Sequence, residues 1–339
     1  MSRFAIAMAF GALALMGAMA FARADDTPQS LYDEAKKEGK LSIWSSLDVE
    51  IHQSQLQAFS KKFPGLSVEA FKIQPGPAIE RAISESRAGR LSVDIMDTNS
   101  GYLQLVFDRD LARPYPWAKV FGISSDQILY GSRALMIAQY DLPIAYNTDL
   151  LKAGDIKSWE DLTDPRWKGK LMLEARGFGL AILAQAWGEE KTVAYIKRLL
   201  ANQPIITKGA SPTIDGLASG QASVAIGTIA AKIDVLRRQG APIDWARVGP
   251  MPAQLVTIFP VNGAPHPAAA KLWSWWWTTP EAQKIFYDEQ GYGLMVGPNA
   301  NPRGKELEKL GIPVVIETTK VDEGRRNLES VARAIDGLK

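Results

Sequence analysis

The chain of 339 residues carries 39 lysines and arginines against 37 aspartates and glutamates, with two histidines and no cysteine. So even a balance argues against nucleic acid or a membrane surface as the main partner. The missing cysteine excludes disulfides, thiolate metal sites and thiol nucleophiles.

Residues 1–24 hold Arg3, an apolar run from Phe4 to Phe21 and Ala22-Arg23-Ala24, an A-x-A cleavage site, so a secretory signal peptide is expected. The run is short for an uncleaved anchor, and no cysteine is there to take a lipid. Removing this segment takes Arg3 and Arg23 with it and leaves 315 residues with 37 basic and 37 acidic side chains. That length exceeds what one apolar core usually fills, and two lobes are expected.

In chain order, Thr27-Pro28 to Gly39 predicts a helix with proline in its first turn and glycine just past its end. Leu41 to Trp44 predicts a strand ending at Ser45-Ser46, and a helix over about 49–63 stops at Pro64-Gly65. An alternating strand, Leu66 to Ile73, is broken by Pro75-Gly76-Pro77. A helix over about 78–88 follows, then a strand from Ser92 to Met96 that ends at Asp97-Thr98-Asn99-Ser100. This βαβαβ order belongs to a parallel sheet with helices on both faces. Arg113 to Gln139 has little periodicity and receives no element. Leu142 to Asn147 predicts a strand that crosses between lobes.

Ser158 to Gly179 predicts a short helix WEDL, stopped at Asp164-Pro165, then a buried strand Lys170 to Leu173 with Glu174, Arg176 and two glycines at its end. Helices near 180–187, 189–201, 212–219 and 229–239, with a strand Ala222 to Ile226, complete this lobe. Val256 to Val261 returns the chain to lobe one and to helices 267–277 and 279–290. The tail predicts a strand near Ile312 to Ile316 and a last helix, packed across the second lobe. On helix 267–277, Trp273, Trp276 and Trp277 share one face at i, i+3, i+4, a core stripe, while Trp275 points elsewhere. Arg81 and Glu85 form a structural i,i+4 pair.

Four stretches in order carry a resemblance: GKLSIWSSLD (39–48), LPIAYNTDLL (142–151), DLTDPRWKGKL (161–171), and APHPAAAKLWSWW (264–276) followed by TTPEAQKIF (278–286). Together they resemble family 1 of the bacterial extracellular solute-binding proteins, the periplasmic receptors of ABC importers, and most closely the ferric-iron, polyamine, sugar-phosphate and phosphonate branch. The resemblance implies an α/β fold of two lobes, the type II or Venus-flytrap periplasmic-binding-protein fold, each lobe a mostly parallel sheet flanked by helices. On that plan residues 25–145 with 255–300 form lobe one, and 146–254 with 301–339 form lobe two.

The resemblance also implies a ligand in the cleft between lobes, touched by the loops after the sheet strands. Here those loops read Ser45-Ser46, Gly76, Thr98-Asn99, Glu174 to Gly177, Ser211 and Thr228, and Tyr146 at the lobe crossing is a further candidate facing the cleft. Helix N-termini converging there favour an anionic or hydroxyl-rich ligand; the alternative is that these side chains cap their own helices. Arg176 is placed to grip a carboxylate or phosphate bidentately, the alternative being an ion pair with Glu174. Ferric receptors usually present adjacent tyrosines after the strand that corresponds to Val224-Ala225-Ile226. Gly227-Thr228-Ile229-Ala230 stands there, and neither His52 nor His266 has a ligand-spaced partner. No metal site and no cofactor are expected.

The expected function is that of a monomeric periplasmic receptor. It closes on a small organic anion (a sugar phosphate, phosphonate or carboxylate) and delivers it to an inner-membrane ABC permease. The rivals are ferric binding through an external anion and a sensor that presents its ligand to a membrane kinase. An enzyme on this fold is a further rival. Thiaminase-like enzymes resemble the architecture but use a cysteine nucleophile, and neither a G-x-S-x-G nor an H-E-x-x-H motif occurs.

Overall fold

The computed structural model describes residues 26–337 apart from Asp48 and Asn99. The expected signal segment and Asn99 therefore lie outside the described residues. Lobe one opens with α1 (Pro28–Glu38), whose start is a reciprocal cap between Thr27 and Ser30 and whose end is Gly39 in the left-handed region. β1 (Lys40–Ser45), α2 (Val49–Lys62), β2 (Ser67–Lys72), α3 (Pro75–Arg87), β3 (Ile95–Thr98) and α4 (Ser100–Asp108) follow. Pro75 opens α3 instead of merely breaking the strand before it, because a proline needs no N–H partner in the first turn. The stretch 113–139, left unassigned from sequence, forms α5 (Trp117–Phe121), β4 (Ile128–Leu129) and most of β5 (Ala134–Asp141).

The chain then crosses to β6 (Ile144–Asn147), β7 (Leu171–Glu174), α6 (Phe178–Trp187), α7 (Glu189–Ala201), β8 (Ile205–Thr207), α8 (Ala210–Ala218), β9 (Val224–Ile226), α9 (Ala230–Arg238) and β10 (Ile243–Trp245). The WEDL helix is a 3-10 turn, 160–163, and a second such turn, 165–167, capped by Asp164, follows it. β11 (Met251–Pro260) returns, followed by α10 (Pro267–Trp277), α11 (Pro280–Gln290), α12 (Pro302–Lys309), β12 (Val314–Ile316) and α13 (Val321–Asp336).

The first sheet runs β2-β1-β3-β11-β5-β4, with β12 on β11; the second runs β10-β6-β9-β7-β8. Both sheets are mixed where mostly parallel sheets are implied by the resemblance. β1 is parallel to β2 and β3, and β7 to β8 and β9, but β6 runs antiparallel to β9 and β10, and the returning β11 antiparallel to β3 and β5 while parallel to β12. A strand that enters a sheet from the other lobe arrives from the opposite end, and this sets its direction. The two crossings lie side by side: Leu142 N–H donates to the carbonyl of Pro252 at 2.8 Å, and Ala246 N–H to that of Ile144 at 2.8 Å.

The tail divides. β12 pairs in parallel with residues 251–253 of β11, so this strand belongs to the first sheet although the sequence assigned the tail to the second lobe, while Val314 still packs against the second sheet's core. α13 lies on α6 and α7, its Val331 and Ile335 joining the second sheet's core, and also touches α4 of lobe one. α12 carries Arg303, only 2 % exposed, which pairs with Asp141 and Asp234 at 2.6 Å each and donates to the Gly291 carbonyl. A buried guanidinium is tolerable only with this much pairing.

The first core is dominated by the expected tryptophan stripe. Trp273, Trp276 and Trp277 are at most 1 % exposed and pack edge-on around Phe59 and Phe286. Trp275, turned off that face, is half-buried against Phe121. Arg81 and Glu85 form the expected pair at 2.7 Å, and the Arg81 guanidinium lies over the Trp44 ring.

Candidate functional site

The C-terminal ends of β1 and β3 are neighbours, because Trp44 pairs with Met96 and the next rung sets Ser45 against Asp97. Asp97 is 5 % exposed and accepts from the Ser45 hydroxyl, from the Ser46 N–H at 2.9 Å and from the Ser46 hydroxyl. Ser45 Oγ also meets His52 Nε2 at 2.7 Å and accepts the Leu47 N–H at 3.0 Å. His52 is 2 % exposed, stands edge-on to Trp277, and has its pKa pushed down by burial, opposed by the nearby Asp97. The two serines expected to meet ligand are thus tied to a buried carboxylate. Thr98 is buried too, its carbonyl accepting from Thr257 at 3.0 Å.

The equivalent edge of the second sheet is built differently. Leu173 pairs with Ile226, so the next rung sets Glu174 against Gly227. Gly227 has φ +95°, and a Cβ there would stand 2.4 Å from that of Glu174, so two requirements coincide at one glycine. Glu174 is 2 % exposed and holds Arg176 Nε at 2.6 Å; the Arg176 side chain is 57 % exposed and its guanidinium lies 5.0 Å over the Phe178 ring. The ion pair weighed against ligand contact is therefore present, through Nε. Thr228 is fully buried, and its hydroxyl has no hydrogen-bond partner. Ser211 is exposed in the first turn of α8, 3.5 Å from Lys232 Nζ. Tyr146 does not face the cleft: it is 5 % exposed within the second sheet's core, because β6 turns it toward Ile156 and Trp159.

None of the side-chain caps at the described helix starts comes from a candidate hydroxyl. α1, α11 and α12 start on side-chain caps from Thr27, Thr279 and Asn301, and α10 on the Glu38 carboxylate. α3, α6, α8 and α9, each following a sheet strand, begin at Gln74, Gly177, Gly209 and Ile229 with no side-chain cap, as do α7 and α13. Their first N–H groups remain for solvent or ligand.

A cavity of about 480 Å³ opens between the lobes, lined by Gly76 and Tyr102 from lobe one, Phe178 and Ile182 from α6, Leu328 from α13, and Glu317 just past β12. Of the candidates named from sequence, only Gly76 lines it; Arg176 lies over Phe178, which also lines it. Sequence reasoning missed Asp97, Tyr102, Phe178 and Glu317. Asp97 was visible as the acid closing a strand, but its partners are not local. Among the described residues no group of three or more His, Cys, Asp and Glu could hold a metal ion, and no helix is long and apolar enough to cross a membrane.

Two lobes that meet over a cleft at the ends of their strands are the architecture of a solute receptor. The sequence profile of the bacterial extracellular solute-binding proteins matches residues 54–305, and the chain belongs to that family. It is 30% identical over 152 residues to an uncharacterized protein of Haemophilus influenzae, a match that spans 43% of that protein's length. Its fold is similar to that of Trichodesmium FutA in complex with iron and citrate (TM-score 0.71, 18% identity, covering 88% of this chain and 99% of that one). Iron-bound HitA from Pseudomonas aeruginosa gives the same values. The substrate-binding protein of an ABC transporter from Agrobacterium tumefaciens has TM-score 0.69 and 13% identity, with 89% and 96% covered.

Proposed function

We propose that the chain is a periplasmic receptor of an ABC importer that closes on a small organic anion and hands it to an inner-membrane permease. The observation that carries the choice of anion is Arg176. Its guanidinium pairs with Glu174 through Nε and lies over the ring of Phe178, the first residue of α6, whose start has no side-chain cap. A planar fork beside free N–H groups suits a carboxylate, phosphate or phosphonate. Closure follows from ligand meeting both lobes: it binds the closed form better and draws the population there through the paired crossings at Leu142 and Ala246. Family membership supports the receptor role.

Ferric binding through an external anion is the second reading, favoured by the iron-bound neighbours. It is weakened by the Gly227-Thr228 loop, which offers no tyrosinate, and by the lack of a metal-holding cluster among the described residues. A sensor would use the same closed form, and loss of signalling with unchanged uptake in a deletion strain would favour it.

Thermal unfolding against sugar phosphates, phosphonates, carboxylates and ferric citrate separates the readings. A ligand at roughly 100 times its Kd adds about 2.7 kcal/mol, a rise in Tm of several degrees. An organic anion is expected to give this shift and Arg176→Ala to weaken it at least roughly tenfold, the loss of one charged bidentate contact. A shift confined to ferric citrate, with visible colour and no response to Arg176→Ala, would overturn the proposal.

A further inference from the structure

The polar strand ends form one wall of the cleft; the cavity beside them has other chemistry. Tyr102, 39 % exposed in the first turn of α4 on lobe one, and Phe178, which opens α6 on lobe two, both line it. Pro75, Pro77, Ile182 and Leu328 add apolar surface, Leu328 coming from α13, which touches both α4 and α6. Gly76 lies against the Tyr102 ring: a Cβ there would stand 3.4 Å from Cε1 and 3.5 Å from the hydroxyl. A longer side chain at this position would lie on the ring, and glycine leaves it open. The charges on the wall are answered within the protein. Arg325 pairs with Glu329 at 3.1 Å and with Asp322 at 3.3 Å, and Glu317 accepts the Leu255 N–H at 3.0 Å.

Such walls offer nothing to a hydrated ion and favour a body that displaces water from two rings at once. We infer that the ligand is built on a flat aromatic ring, taken up between Tyr102 of lobe one and Phe178 of lobe two. Aromatic pairs in offset or edge-on contact are favourable beyond the apolar area they bury, an advantage that an aliphatic body of similar size lacks. About 480 Å³ is room for a single substituted ring. Phe178 also carries the Arg176 guanidinium over its ring at 5.0 Å, so one side chain adjoins both the apolar space and a cation. On the reading of the chain as a receptor for an organic anion, on which this assignment rests, the class narrows to aryl carboxylates, phosphates and phosphonates. Because the two rings belong to different lobes, a ligand ring that meets both is held best in the closed form and adds to closure.

The test uses benzoate, cyclohexanecarboxylate, acetate and uncharged benzyl alcohol as probes, with saturation-transfer NMR titrations of the purified protein. Benzoate is expected to bind with a millimolar Kd, the range open to a molecule of this size, and acetate to show no binding in that range. Benzoate is also expected to bind roughly three- to tenfold more tightly than cyclohexanecarboxylate. Tyr102→Leu and Phe178→Leu keep apolar bulk and lose a ring, and each is expected to shrink that preference and to weaken benzyl alcohol. Tyr102→Phe, which keeps the ring, is expected to preserve both. No millimolar binding of benzoate, acetate binding as tightly as benzoate, or a preference that both leucine variants leave unchanged overturns the assignment. If the leucine variants weaken benzoate and benzyl alcohol while Arg176→Ala leaves benzoate unaltered, the ring site stands and the anion reading fails. If Arg176→Ala weakens benzoate roughly tenfold while the leucine variants change nothing, the anion reading stands and the ring site fails.

Discussion

At the end of β1 the hydroxyls of Ser45 and Ser46 donate to Asp97, whereas at the end of β9 the hydroxyl of Thr228 is as deeply buried and bonds to nothing. The two edges share a plan. In each, a buried carboxylate on one parallel strand faces a small residue on the next: Asp97 faces Ser45, Glu174 faces Gly227. The difference is a single side chain. A serine opposite the acid gives it donors from its own lobe and closes the edge into an internal lock. A glycine gives it none, and Glu174 instead holds Arg176, whose side chain is 57 % exposed. Small polar residues at strand ends thus become structure or site according to what lies across the rung.

Making the second edge resemble the first is expected to have the largest effect. In Gly227→Ala a Cβ must occupy a position 2.4 Å from that of Glu174 at φ +95°. Overpacking and left-handed strain together should cost roughly 2–5 kcal/mol, read as a lower urea midpoint at unchanged m-value. A cost under about 0.5 kcal/mol, the range of an uncoupled surface change, would mean that the rung is looser than described.

Next comes removal of each acid in turn. Asp97→Asn loses charge-assisted bonds to two serines and should cost roughly 2–3 kcal/mol, since hydrogen bonds to charged groups are worth more than neutral ones. Glu174→Gln loses one bond to an exposed partner and should cost about 1 kcal/mol or less. Equal losses in denaturant unfolding would erase the contrast between lock and site.

The smallest effect is a pH dependence confined to the first edge. Burial holds the His52 imidazole below the ordinary histidine value of about 6.5, so the unfolded chain takes up the proton first. Stability present above that value is then lost as pH falls toward the folded pKa, at no more than about 1.4 kcal/mol per pH unit for one proton. His52→Gln should flatten this component of the difference between pH 7 and mildly acid buffer. An identical slope in wild type and variant would place the dependence elsewhere.

Much of the fold is legible in the sequence. Pro28 and Gly39 bracket α1, the tryptophans at 273, 276 and 277 sit on one buried face, and the stretch from Ser158 to Gly179 gives both the turn at Asp164-Pro165 and the strand before Glu174. α4 was missed although its apolar positions are regular, because its start follows directly on the polar run after β3. The sequence sent the tail across the second lobe without assigning β12 to a sheet, and β12 joins β11 of the first sheet, because a three-residue strand carries no signal for its neighbour. Of the residues lining the cavity, Gly76 was named from the sequence, while Tyr102, Phe178 and Glu317 were not: an aromatic in a first helical turn reads as core, and an acid near the end of the chain reads as surface.

The sequence by itself determined the element order, the apolar faces and the family resemblance, since propensity, caps and period are written in adjacent residues. Only the tertiary structure decided that Ser45 is locked, that Tyr146 is core, that Thr228 is buried without a partner, and that Glu317 faces the aromatic cavity. The Ser45 hydroxyl and its Asp97 partner lie 52 residues apart along the chain. Strand register brings them together, and register is set by the packing of whole sheets.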